Sequence, residues 1–322
     1  MNFKKTNKIY VAGHKGMVGS SIVRMLTRKG FEKIITKTKK ELDLTNQQKV
    51  HHFFKKNKID FVFLCAAKVG GIYANNTYRA DFIAENLMIQ TNVIDAAYKN
   101  GVENLIFLGS SCVYPKITNR KIAETDLLSA NLEPTNEPYA IAKIAGIKMC
   151  ENYNRQHNVN YKNIMPTNLF GPGDNFHPQN SHVMAALIRK FIIAIRSKKK
   201  HVVVWGTGTS KREFLYVDDL AEAIYVIARL SKKKYREISG DKSFLVNVGY
   251  GKDYKISTIA KLISKALNFK GSIVYDKTQK DGVKRKILDS QIIQSLGWKP
   301  KYNFEKILTS YIQELYKNQK FI

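Results

Sequence analysis

Tyr139 and Lys143 stand four residues apart, just after Pro138 and downstream of the segment Gly109-Ser110-Ser111-Cys112. On a helix this spacing puts the phenol and the amine on one face, where the side chains converge. Pro138 suits a first helical turn, which needs no amide donor there. An ammonium beside a phenol favours phenolate. A serine at the end of a neighbouring strand can hydrogen-bond a carbonyl while the phenol exchanges a proton with it. Together these groups could reduce a ketone or oxidise an alcohol. Spacing alone does not establish the chemistry, because Tyr302/Lys306 and Tyr316/Lys320 repeat it, and those pairs read as solvated helix faces. Tyr139 differs in its place after a strand-end serine cluster and behind a glycine-rich loop.

That loop is Gly13-His14-Lys15-Gly16-Met17-Val18-Gly19, preceded by the apolar Ile9-Tyr10-Val11-Ala12 and followed by a helical pattern in Ile22, Val23 and Leu26. Strand, glycine turn and helix form the context a dinucleotide fingerprint requires, with the pyrophosphate at the helix amino terminus. After a second strand at Lys33-Ile34-Ile35-Thr36, an NAD site commonly offers an acidic residue to the ribose. Here the chain reads Lys37-Thr38-Lys39-Lys40 before Glu41. Cations suit a 2′-phosphate, so the expected cofactor is NADP(H).

The apolar run over residues 60–67 predicts a central strand, ending in a second glycine turn at Gly70-Gly71. A helix over 82–98 and strands over 104–108 and 161–165 continue the alternation. The expected fold is α/β: a Rossmann-type doubly wound parallel sheet with a smaller α/β substrate-binding lobe. Residues 1–170 would form the cofactor domain, with a returning segment near 215–245, and residues 171–322 mainly the substrate lobe. In that second part, helices are expected over 183–195, 219–230 and 256–267, and strands over 202–205, 245–248 and 272–275.

The 322 residues carry a net charge of +28, scattered in short runs such as Lys55-Lys56, Lys198-Lys199-Lys200, Lys232-Lys233-Lys234 and Lys284-Arg285-Lys286. Dispersal reads as a solvated lysine-rich surface that draws in anionic nucleotides, not as a nucleic-acid interface. Cys65, Cys112 and Cys150 are far apart and lack metal-ligand spacing, which points to reduced thiols, no metal and a cytoplasmic location. No apolar run approaches the roughly 20 residues of a membrane span. A non-catalytic NADPH-binding protein would be expected to lack Tyr139 or Lys143.

Gly-x-x-Gly-x-x-Gly with Ser…Tyr-x-x-x-Lys resembles the signature of the extended short-chain dehydrogenase/reductases. The segments AAKVGGIYANNT (66–77), GSSCVYPK (109–116) and EPTNEPYAIAKIAG (133–146), with 165–170, 174–183 and Arg212-Glu213-Phe214, narrow the resemblance. Over essentially the whole chain it is similar to the GDP-L-fucose synthase family. That family epimerises GDP-4-keto-6-deoxy-mannose at carbons 3 and 5 and reduces it at carbon 4.

The resemblance implies Ser110, Tyr139 and Lys143 as the reduction triad, and Cys112 and His182 as the acid/base pair of epimerisation. It implies NADP(H) along Gly13, His14, Lys15, Gly16, Met17, Val18 and Gly19, at Lys39, Asp43 and Leu44, and at Leu108, Gly109, Ser110 and Lys143. Pro166, Thr167, Asn168, Leu169 and His182 complete that set. Lys190, Trp205, Arg212 and Asp281 would contact the GDP-sugar, and the chain would form a homodimer. Two positions depart from the family pattern: Lys15 replaces a frequent arginine, and Ala185 stands where proline is expected. A 4-reductase of a related GDP-4-keto-6-deoxy sugar, such as a heptose, with little or no epimerisation, is the alternative.

Overall fold

The structure, a computed structural model, describes residues 3–240, 244–279 and 281–318; Lys320 lies outside them. Strands β1 (Ile9–Ala12), β3 (Phe61–Leu64) and β4 (Asn104–Leu108) are buried at every position. Continuous apolar runs of this kind belong to strands covered on both faces. With the two-residue β2 (Ile34–Ile35), β5 (Asn160–Pro166) and β9 (Leu245–Val248) they form a six-stranded parallel sheet in the order β2-β1-β3-β4-β5-β9. Chain order reverses between β1 and β3, whose ends align through the pair Ala12/Leu64. A ligand crevice is expected beyond the carboxyl ends of strands at such a switch point.

Helices cover both faces. α2 (Gln47–Asn57), α4 (Arg79–Lys99) and α5 (Glu137–His157) pack Phe53, Val93 and Ile147 against Tyr10, Leu105 and Tyr161. On the opposite face, α1 (Met17–Arg28) and α7 (Val217–Ala228) set Ile22, Met25, Leu220 and Ile224 on Val11, Phe63 and Ile164. The short α3 (Ile72–Thr77) follows the second glycine turn.

After β5 the chain leaves this sheet. β6 (Asn168–Phe170) pairs in parallel with β8 (Lys211–Tyr216), which also pairs with β10 (Asp253–Lys255) and β12 (Arg285–Lys286). β7 (His201–Trp205) and β11 (Ser272–Asp276) form a separate parallel pair. In β7 burial alternates, with Val202 and Val204 inward and Val203 and Trp205 outward. A third core joins these strands to α6 (Val183–Arg196), α9 (Ile256–Ala266) and α11 (Phe304–Asn318) through Ile188, Phe191, Val204, Phe214, Ile259 and Leu308. α8 (Lys232–Ser239) leads back toward β9, and α10 (Gln291–Ser295) sets Ile293 into the core beneath α1 and α7. Among the described residues no helix is long and apolar enough to cross a membrane.

Candidate active site

The loop after β1 is a backbone cradle. Gly13 has φ +84°, and a Cβ there would lie 2.7 Å from the Ala66 backbone at the end of β3. At Gly19 a Cβ would meet the Gly13 carbonyl oxygen at 2.2 Å, so only glycine lets α1 start this close to the loop. Gly16 caps α1 with no side-chain hydrogen bond and no acidic residue in the first turn. The helix amino terminus is thus kept for an anion. The loop after β6 closes on the same turn, since a Cβ at Gly173 would lie 3.2 Å from Met17 Cα. His14 Nδ1, Asp174 Oδ2 and Asn180 Oδ1 are buried without hydrogen-bond partners among the described residues.

A cradle that excludes Cβ atoms, a free helix terminus and unpaired polar atoms nearby fit a dinucleotide. Lys15 and Lys39 are exposed cations on this side, and Lys39 Nζ stands 3.9 Å from Glu85. Asp43 is occupied by its own turn, accepting from Thr45 N at 3.0 Å and Thr45 Oγ1 at 2.8 Å, while the Leu44 side chain is core. Any contact from Leu44 is therefore through its backbone.

Beyond the ends of β4 and β5 lies the cluster of serine, cysteine, tyrosine and lysine picked out by sequence. Gly109 permits the chain to turn over Met165, whose Cε would be 1.9 Å from an added Cβ. Ser110 accepts from Cys112 N at 3.2 Å, and its hydroxyl lies near enough to the Tyr139 phenol to favour its ionised form. α5 begins at Glu137 with proline in its first turn and presents Tyr139 and Lys143 on one face. Lys143 Nζ donates to the Leu108 carbonyl at 2.8 Å and lies 5.9 Å from the Tyr139 ring centre.

The expected ease of phenolate formation does not hold in the chain alone. Burial raises the Tyr139 phenol above its ordinary range, the Cys112 sulfur adds to this, and the nearby Ser110 hydroxyl opposes it. The same loss of water brings the Lys143 amine down to about 8. Desolvation penalises the charged form of each group and is the largest influence on both. Tyr139 is therefore a protonated donor at neutral pH.

His182 caps the start of α6. The preceding loop is held by the second glycine turn: Gly71 N donates to Asn180 O at 2.9 Å, and a Cβ at Gly71 would lie 2.4 Å from Ser181 O. His182 has an exposed surface, yet the protein packed around it withdraws enough water to pull its imidazole below the ordinary value. Thr167 is buried, with Oγ1 on the Glu213 carbonyl at 3.3 Å, and Asn168 Nδ2 reaches the same oxygen at 2.9 Å. Pro166 ends β5 beside Val248, and Leu169 lies in β6 opposite Leu215.

The four residues expected at the sugar nucleotide form two linked pairs. Lys190 Nζ sits 4.7 Å above the exposed Trp205 ring, offering an aromatic face and a cation together. Arg212 donates to the carbonyls of Lys211 at 2.8 Å and Val283 at 2.5 Å; burial lowers its guanidinium, while Cys112 and Asp281 favour its charge. Asp281 accepts from Thr207 N at 3.0 Å and would touch a Cβ at Gly206, the residue after Trp205.

One member of the cluster escaped the sequence reading. Lys286 Nζ lies 3.9 Å from Cys112 Sγ. It belongs to the basic run at 284–286 that reads as lysine-rich surface, and no local signal separates it from the other runs. Among the described residues no group of three or more His, Cys, Asp or Glu side chains could hold a metal.

Residues 9–239 match the NAD dependent epimerase/dehydratase family. The chain is 49% identical to the GDP-L-fucose synthase of Escherichia coli (strain K12), over 97% of each chain. It is 51% identical to GDP-L-fucose synthase 1 of Arabidopsis thaliana, over 98% of this chain and 94% of that one. Among solved structures, a GDP-D-glycero-L-gluco-heptose synthase from Campylobacter jejuni, crystallised in the presence of NADPH, superposes with a TM-score of 0.89. It shares 36% sequence identity, over 98% of this chain and 99% of that one. With a parallel sheet, a glycine cradle at its switch point and a Ser-Tyr-Lys cluster at its edge, the chain belongs to the NAD dependent epimerase/dehydratase family, in the branch that contains the GDP-L-fucose synthases.

Proposed function

We propose that this enzyme converts GDP-4-keto-6-deoxy-D-mannose to GDP-L-fucose, epimerising carbons 3 and 5 and then reducing carbon 4 with NADPH. The observation that carries this reading is the meeting of two kinds of proton-transfer group at one strand edge. Ser110 Oγ accepts from Cys112 N at 3.2 Å, which sets hydroxyl and thiol side by side, and both lie close enough to Tyr139 to perturb its phenol. The Ser-Tyr pair serves a carbonyl oxygen, and the thiol serves carbon acids beside that carbonyl.

A ketone at carbon 4 acidifies the hydrogens on carbons 3 and 5, so epimerisation must precede reduction. In this reading Cys112 removes a proton from one face and His182 returns one on the other. Ser110 and Tyr139 hydrogen-bond the oxygen as charge develops on it. Lys143, tethered to Leu108 O, orients the ribose and Tyr139. When bound, the nicotinamide supplies hydride to carbon 4. Tyr139, kept protonated by burial, gives its proton to the carbon 4 oxygen, which becomes the alcohol hydroxyl. Residues 13–19 and the α1 terminus would hold the pyrophosphate, Lys15 and Lys39 the 2′-phosphate, and Lys190, Trp205, Arg212 and Asp281 the GDP-sugar.

The reading includes a homodimer through α4 and α5, supported by Met88 and Ile141, 43% and 42% exposed on those helices. It also includes a reducing cytoplasm, supported by three free cysteines. The test is competition between substrates: GDP-4-keto-6-deoxy-D-mannose and a GDP-4-keto-heptose, each supplied with NADPH, with products identified by NMR. Higher kcat/KM for the hexose, yielding GDP-L-fucose, supports the reading. Preference for the heptose would replace it with the reductase alternative.

A further inference from the structure

The strand that carries Lys286 is fixed from both sides. β12 pairs in parallel with β8, setting Lys286 beside Arg212. On its other side Ile122 N donates to Ile287 O at 2.9 Å, and Asp289 N donates to Ile122 O at 2.8 Å. Next along the chain, Leu288 N donates at 3.0 Å to the carboxylate of Glu213, a fully buried residue whose second oxygen accepts from Gly251 N at 2.7 Å. Arg285 is tied to Asp253 at 2.5 Å.

With its backbone pinned and its neighbours engaged, the half-buried Lys286 reaches back across the crevice to Cys112 Sγ. Arg212, the other cation near the sulfur, directs one guanidinium nitrogen at the carbonyls of Lys211 and Val283. The amine of Lys286 is thus the group that donates to the sulfur.

We propose that Lys286 is the positioning residue for Cys112, holding the sulfur toward the substrate and balancing its charge when it is anionic. This rests on the reading of Cys112 as the base of epimerisation. An anionic sulfur in a part-buried site needs a counter-charge, and a cation 3.9 Å away supplies one without consuming the thiol. It also explains why a lysine on this short strand is drawn inward while most of the basic surface faces water.

The experiment compares the parent with Lys286→Met, Lys286→Arg and Cys112→Ser. The first readout is the rate at which iodoacetamide alkylates Cys112 in the cofactor-free protein, followed by mass spectrometry of its peptide. The second is deuterium exchange at carbons 3 and 5 set against reduction of an already epimerised ketone. Lys286→Met should slow alkylation by about fivefold or more, fivefold being what losing one unit charge at this range gives even at the dielectric of bulk water. It should slow exchange by a similar factor and leave reduction near parental, while Lys286→Arg restores most of both. Unchanged alkylation in Lys286→Met overturns the proposal. So does a uniform rise in KM with exchange and reduction equally affected, which would make Lys286 a substrate anchor instead. The underlying reading fails separately, if Cys112→Ser exchanges carbons 3 and 5 at the parental rate.

Discussion

At Tyr139 burial and chemistry pull the same way. A phenol raised by desolvation keeps its proton at neutral pH, and reduction of a ketone needs a donor at the oxygen. Tyr139→Phe keeps the ring that packs edge-on to Phe82, with centroids 6.3 Å apart, so the fold should survive. Turnover should fall by about 100-fold or more, the scale of one general acid, with NADPH still bound in a fluorescence titration; parental turnover would contradict the role.

Asp174 offers a test of electrostatics without substrate. Burial raises its carboxyl from 3.8 to about 7. Between pH 3.8 and about 7 the native chain holds a proton that the unfolded chain has released, so stability falls as pH rises through that window. Asp174→Asn is neutral throughout. Its urea midpoint should lose this slope and lie above the parent's at pH 8, whereas an unchanged slope would mean that Asp174 is solvated.

At the scale of elements, the first turn of α1 depends on absent Cβ atoms. In Gly19→Ala the new atom would meet backbone, the Gly13 carbonyl oxygen, at 2.2 Å, which cannot yield like a flexible side chain. NADPH affinity should drop by about tenfold or more, roughly 1.4 kcal/mol. Gly16→Ala, whose nearest contact is 3.4 Å, should cost much less. Equal losses would mean that helix approach is not what the glycines secure.

Legibility follows the same physics. β4 and β9 were readable because each is fully buried and apolar at all but one position, and α5 because Pro138 and the four-residue spacing of Tyr139 and Lys143 are local signals. α2 escaped because it is lysine-rich and mostly polar, with three buried residues in eleven. β10 and β12 escaped because they are only three and two residues long, with Tyr254 their one buried side chain, and exist only as partners of β8, at least 40 and 70 residues earlier in the chain. For the same reason Ser110, Tyr139 and Lys143 could be grouped from sequence, while the contact between Lys286 and Cys112, 174 residues apart, could not.

For the whole molecule, two sheets must be held so that the groups proposed for cofactor and for sugar meet. Glu213 ties them: its carbonyl takes Thr167 and Asn168 at the exit of the large sheet, and its carboxylate takes Gly251 and Leu288. The chain as a whole carries a net charge of +28. A field of that sign concentrates an anionic sugar nucleotide and is screened by salt within roughly 10 Å at 0.1 M. KM for the GDP-sugar should therefore rise with ionic strength while kcat changes little; a salt-independent KM would reduce the lysines to solubilising surface.

The most direct measurement of the central claim is turnover of GDP-4-keto-6-deoxy-D-mannose with NADPH in deuterated water, read by cofactor oxidation and product NMR. The account predicts NADPH oxidation with deuterium at both carbons 3 and 5 of the product. Oxidation without deuterium at either carbon would leave only a 4-reductase, and contradict the single site for epimerisation and reduction.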